Sequence, residues 1–149
     1  LKDKTYWMAE IQGGYAQALI LAGRRDESKS YLDDALNLAR ELKNEGMVSQ
    51  TLGFQGNAAY YRGDTKAAQA LYQQALQAAN LSKEPEKALL AKINLAKVAI
   101  HEGQARQAIA TLQPLLQQAE KLGLKYTQVE SSVAMAEAMI QIKDTTHAR

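Results

Sequence analysis

The residues with the most obvious chemistry in this chain are two histidines, His101 and His147, and their spacing argues against a reactive centre. A zinc hydrolase of the H-E-x-x-H type needs two imidazoles one helical turn apart with a glutamate between them. The segment His101-Glu102-Gly103 has no second histidine at that distance, so both histidines are read as ordinary surface or groove side chains. No G-x-x-x-x-G-K-[ST] loop is present to cradle a phosphate, and Gly13-Gly14 falls inside a helical pattern rather than after a strand. The triplet Arg62-Gly63-Asp64 is an adhesion motif in form, but each of its residues already has a place in a helix-turn-helix. Asn80-Leu81-Ser82 is a glycosylation sequon that matters only in a secreted protein. With 0 cysteines, disulfides, thiolate nucleophiles and sulfur-ligated zinc are excluded. No catalytic, cofactor-binding or metal-binding residue is expected, and the chain is read as a non-enzyme.

Composition directs attention to a surface instead. The 149 residues are 46% apolar and 23% charged, ordinary values for a folded globular chain. Eighteen basic residues against 16 acidic ones leave no electrostatic footprint for nucleic acid or a membrane surface, so neither is expected as a partner. No apolar run approaches the roughly 18 residues of a membrane span. The opening residues, LKDKTYWMAEIQ, lack the basic-then-apolar build of a signal peptide, and a cytoplasmic location is expected.

The elements that would carry such a surface are visible in the glycines. ALILAGRRDES at Gly23, AAYYRGDTKAA at Gly63 and VAIHEGQARQA at Gly103 recur every 40 residues, and AMIQIKDTTHA follows with Lys143 in the glycine's place. Seven residues before each of these four positions stands a small residue: Ala16, Gly56, Ala96 and Ala136. Five residues after come Ser28, Ala68, Ala108 and Ala148, followed by Leu32, Tyr72 and Leu112 and then by Ala35, Ala75 and Leu115. Offsets of five, nine and twelve lie on one face of a helix, and small residues there allow a neighbouring helix to approach closely. The pattern predicts helices at about 5–22, 26–43, 47–62, 64–81, 85–102, 104–122 and 125–142, with a further helix beginning at Asp144. Gly23, Gly63 and Gly103 suit left-handed C-terminal caps, and Asp64 and Asp144 suit N-caps. The stretches KNEG, LSKEP and LGLK are read as longer connections between helical pairs. Pro114, inside a predicted helix, removes a donor and crowds the Ala110 carbonyl, so a kink is expected there.

Small residue, Gly, Ala, aromatic or Leu, and Ala at these offsets resemble the tetratricopeptide repeat in a 40-residue form. The resemblance implies an all-α fold, an α-solenoid of antiparallel helix pairs forming a right-handed superhelix. One array is expected over residues 1–149, with repeats at about 9–46, 49–84 and 89–124 and a partial one at 129–149. Because that last repeat breaks off early in its second helix, a fragment of a larger protein is expected. Such repeats bind a peptide or helix of a partner in a concave groove lined by their first helices. Matching repeat positions places Phe54, Asn57, Tyr60 and Tyr61 in that groove from the second repeat, and Asn94, Lys97 and His101 from the third. Aromatic side chains supply contact area at low entropic cost, and Asn can pair with both a donor and an acceptor of an extended backbone. Packing of Phe54 and Tyr60 against neighbouring helices is the competing reading. The clamp with which some of these proteins grip a chaperone's terminal carboxylate is not matched, because Gly53, Glu130 and Ala134 stand where it needs cations. The implied role is a protein-interaction module of a bacterial regulatory or signalling protein, such as a kinase or signal-transducing ATPase. The alternatives are a module that self-associates through its open ends and, third, an enzyme domain.

Overall fold

The computed structural model describes residues 2–147. Among them are seven α-helices and no strand: α1 (Lys2–Leu21), α2 (Ser28–Glu41), α3 (Glu45–Tyr61), α4 (Thr65–Ser82), α5 (Pro85–His101), α6 (Ala105–Lys121) and α7 (Lys125–His147). The helix ends are set by one device used repeatedly. Gly23, Gly63 and Gly103 have φ of 80°, 83° and 84°, the left-handed conformation that only glycine adopts without strain. Each permits the next residue's N–H to reach back to the last turn, as in Arg24 N to Leu19 O at 2.9 Å and Asp64 N to Ala59 O at 3.0 Å. Lys43, Lys83 and Gly123 take the same conformation at φ of 54°, 58° and 68°. Left-handed residues therefore recur every 20 residues, at both the first and the second helix of each pair.

Two expectations about connections are corrected by these turns. KNEG, LSKEP and LGLK are not longer than the rest: the chain leaves α2 at Glu41 and enters α3 at Glu45, whereas the widest interval lies inside the first pair, between Leu21 and Ser28. Asn44 in the first of these stretches is an N-cap, its Oδ1 accepting from Met47 N at 3.0 Å, as Asp64 Oδ1 does from Ala67 N at 3.0 Å. The turn expected at Lys143 is also absent, because α7 continues to His147 and Asp144 lies within it rather than capping a new helix. A left-handed lysine costs about 1–2 kcal/mol. At Lys43 and Lys83 a following helix packs and offsets that cost; after Lys143 the described chain has no such helix, and continued α-helix is the cheaper conformation. Ala148, assigned to the missing helix, lies outside the described residues. Pro114 does not interrupt α6, which runs unbroken from Ala105 to Lys121.

Packing groups the chain into two compact units, residues 1–87 and 88–149. In the first, α1 packs on α2 and α3, α2 on α3, and α3 on α4. Its core contains Ala16, Ile20, Leu32 and Ala58 with Phe54 against them, and Ala68, Tyr72 and Ala75 of α4 are fully buried. Gly56 is required where it stands: a Cβ there would run into the Tyr72 ring. In the second unit Leu89, Ile93, Ala96 and Ile100 of α5 meet Ala108, Leu112 and Leu115 of α6 and Ala134 and Ala138 of α7. Small residues at the predicted offsets thus sit under large ones in both units, with Ala136 the exception on an exposed face. No helix is long and apolar enough to cross a membrane among the described residues.

Candidate protein-interaction surface

The residues assigned to the groove divide by what holds them. Phe54 is half-buried and belongs to the core between α1, α2 and α3, so most of its surface is spent on packing. Asn57, three residues later on α3, is half-buried, and its Oδ1 accepts a hydrogen bond from the Tyr72 hydroxyl at 2.8 Å. That bond fixes which way the amide points and commits its oxygen as an acceptor. Tyr72 is itself buried; burial pushes its phenol above the ordinary tyrosine range, with Tyr61 and Tyr60 adding to the effect, so it stays a neutral donor.

Tyr60 and Tyr61 meet edge to face, with centroids 5.6 Å apart and planes at 72°. Tyr61 is 49% exposed, and the Arg25 guanidinium lies 5.7 Å from its ring centroid. A cation over the ring face holds the aromatic in place without covering it fully. Tyr72 and Arg25 are the supporting residues that sequence reasoning missed. Tyr72 was legible only as a core residue, since a hydroxyl at a position otherwise filled by leucine was the sole hint of a partner. Arg25, in the turn before α2, carried no spacing signal.

On α5, Asn94 and Lys97 are half-buried and His101 is exposed at the helix end. The Lys97 ammonium pairs with the Glu130 carboxylate of α7. This matters for ligand charge, because the one lysine of the assigned set is already neutralised. Ala134, at another position where a terminal-carboxylate clamp needs a cation, is fully buried. The Arg62-Gly63-Asp64 triplet is used structurally: Gly63 makes the turn, Asp64 caps α4, and Arg62 lies 4.0 Å from Asp26.

No group of three or more His, Asp or Glu side chains suited to a metal ion occurs among the described residues. Each unit carries a cleft. One of about 170 Å³ in the first unit is lined by residues including Arg25, Lys29, Asp33 and Arg62, and one of about 330 Å³ in the second by residues including Gln104, Arg106 and Gln141. Neither joins a nucleophile to a general base.

Helix hairpins with small residues under large ones, recurring every 40 residues, define an all-α helical-repeat protein of the solenoid class. Residues 7–80, about half of the chain, match the tetratricopeptide repeat, and this stretch belongs to that family. A search of curated proteins found no match. Tetratricopeptide repeats are non-catalytic modules that bind other proteins.

Proposed function

We propose that this chain binds a peptide or helix of a partner protein along the exposed faces of its first-type helices, as the interaction module of a bacterial regulatory or signalling protein. Asn57 and Tyr61 on α3 and Asn94 and Lys97 on α5 are the contacting residues. The observation that carries this reading is the support given to α3: Tyr72 sets the Asn57 amide from below, and Arg25 steadies an exposed Tyr61. Side chains held this way lose little freedom on binding, and tyrosine and asparagine suit an extended backbone or the polar edge of a helix. Lys97, paired with Glu130, serves as a neutral hydrogen-bonding edge, so the favoured ligand is not an isolated terminal carboxylate.

The test begins with capture of partners from the source lysate and identification by mass. Tyr61→Ala and Asn94→Ala are then compared with the parent chain for affinity. Neither residue holds the core, so circular dichroism should be unchanged, and each substitution should weaken binding by about 1–3 kcal/mol. Unchanged affinity in both variants would move the site off these faces.

Self-association is a second reading, favoured by a row of apolar side chains on α1. Trp7 and Ile11 are 63% and 68% exposed, and Tyr15 continues the row one turn later. Sedimentation of the parent chain against Ile11→Glu decides it: a dimer that the substitution dissociates supports self-association, and a monomer at all concentrations removes it.

A further inference from the structure

The turn between α1 and α2 differs from its counterparts, and a charged cleft lies against it. Two residues after the turn glycine, Thr65 and Ala105 open α4 and α6, whereas Arg25 at the same place lies outside α2, which begins only at Ser28. The buried Ser28 holds it there: its amide and its hydroxyl both donate to the Arg25 carbonyl, at 3.2 and 2.6 Å. From this position Arg25 lines the cleft of about 170 Å³ in the first unit and also lies over the exposed ring of Tyr61.

The charges around this cleft do not balance. Its cations are Arg25, Lys29 and Arg62, and the carboxylate in its lining is Asp33. Asp33 is committed, accepting from Lys29 at 2.7 Å and from the Gln55 amide at 3.2 Å. Arg62 has only Asp26, 4.0 Å away on a side chain that is 98% exposed, where water and salt screen the pair. Arg25 pairs with no carboxylate among the described residues, and its Nε is buried without an acceptor. A charged donor taken out of water and left unmatched is costly, so this N–H favours any anion that reaches it. Leu32 and Leu71 in the lining keep the surroundings apolar, which strengthens such a pairing. Three cations against the carboxylates of Asp26 and Asp33 leave one positive charge uncompensated.

We propose that this cleft receives the side-chain carboxylate of a glutamate or aspartate of the partner, held between Arg25 and Arg62. Planar guanidinium groups suit the paired oxygens of a carboxylate. One uncompensated charge matches a monoanion, whereas a phosphorylated side chain, with a charge of about −1.5 to −2 at neutral pH, exceeds it. The arginines stand before α2 and after α3, away from the positions of a terminal-carboxylate clamp. The proposal rests on the reading that the partner lies along α3: Arg25 joins the cleft to Tyr61, so the segment that packs on the ring presents its acidic residue to the cleft.

The probe is N-acetyl-glutamate N-methylamide, whose sole charge is the side-chain carboxylate, titrated at constant ionic strength into the isotopically labelled full chain while the Arg25 Nε–Hε resonance is followed by NMR. A saturable shift is expected, absent with the glutamine analogue and with sodium chloride. Arg62→Gln should weaken binding about tenfold, the worth of one charge-assisted hydrogen bond. Asp26→Asn, at a side chain in contact with little else, should tighten it about twofold by removing a competing carboxylate. Circular dichroism should be unchanged in both variants. Absence of a saturable shift overturns the proposal, as does an equal response to the glutamine analogue or binding indifferent to both substitutions. Tighter binding of methyl phosphate than of the carboxylate would overturn the choice of ligand. These outcomes are read without a partner, so their failure is distinct from failure of the α3 reading, which the affinities of Tyr61→Ala and Asn94→Ala report.

Discussion

Tyr72 joins the core of the first unit to its surface: the ring fills the space left by Gly56, and the hydroxyl holds Asn57. Its titration should be visible in stability. Burial raises the folded-state pKa above the unfolded value of about 10, so the folded chain keeps a proton that the unfolded chain loses. The stabilisation is complete below that unfolded value and declines as the pH climbs beyond it toward the folded pKa. Thermal midpoints measured between about pH 9 and 11 should fall more steeply for the parent chain than for Tyr72→Phe. Two other side chains work against the fold. The hydroxyls of Thr127 and Ser131 are buried on α7 without a hydrogen-bond partner among the described residues. Thr127→Val and Ser131→Ala should each raise stability by about 1 kcal/mol, read from chemical denaturation, because an apolar group of similar shape carries no desolvation penalty there. A loss of stability would show that the hydroxyls are satisfied in solution.

Each helix hairpin is a pairing of small against large residues, and this makes the pairing exchangeable. Gly56→Ala gains about 0.5–1 kcal/mol of helical preference but places a Cβ inside the Tyr72 ring, and overpacking costs about 1–3 kcal/mol. The overpacking term is the larger, so the single variant should lose stability. Adding Tyr72→Leu recreates the alanine-leucine pair found at Ala16 with Leu32 and at Ala96 with Leu112, and should recover most of the loss. Thermal melts of the two variants check this, and a double variant worse than the single one would show that the ring is needed for more than volume. The same positions show how much was legible in advance. The 40-residue spacing located Gly56, Ala68, Tyr72 and Ala75 correctly because a buried helix face needs a fixed period. The left-handed Lys43 and Lys83 were not legible, since a lysine adopts that conformation only when the next helix compensates for it.

At the scale of the whole molecule, stability in a repeat protein is a sum of local units and their neighbours, so its free faces should open first. Amide exchange is expected to be fastest at the exposed start of α1, around Tyr6 to Met8, and at the end of α7 beyond Ile140. It should be slowest in α3 and α4, where Met47, Leu52, Ala59, Ala68 and Tyr72 are buried. Uniform protection along the chain would show that it opens as one unit. The sequence by itself determined the helical class, the 40-residue repeat, the family and the residues that meet within each pair, because each of these follows from period and side-chain size. Only the tertiary structure decided which candidate surface residues are already engaged. Phe54 is taken by the core, Asn57 by Tyr72 and Lys97 by Glu130, through partners 15 to 33 residues away along the chain in the latter two cases. It also decided that α7 runs past Lys143 with one apolar face uncovered. The reason is the same in both cases. A local pattern specifies what a residue can do, whereas the pairing across helices among the described residues selects which of those possibilities is used.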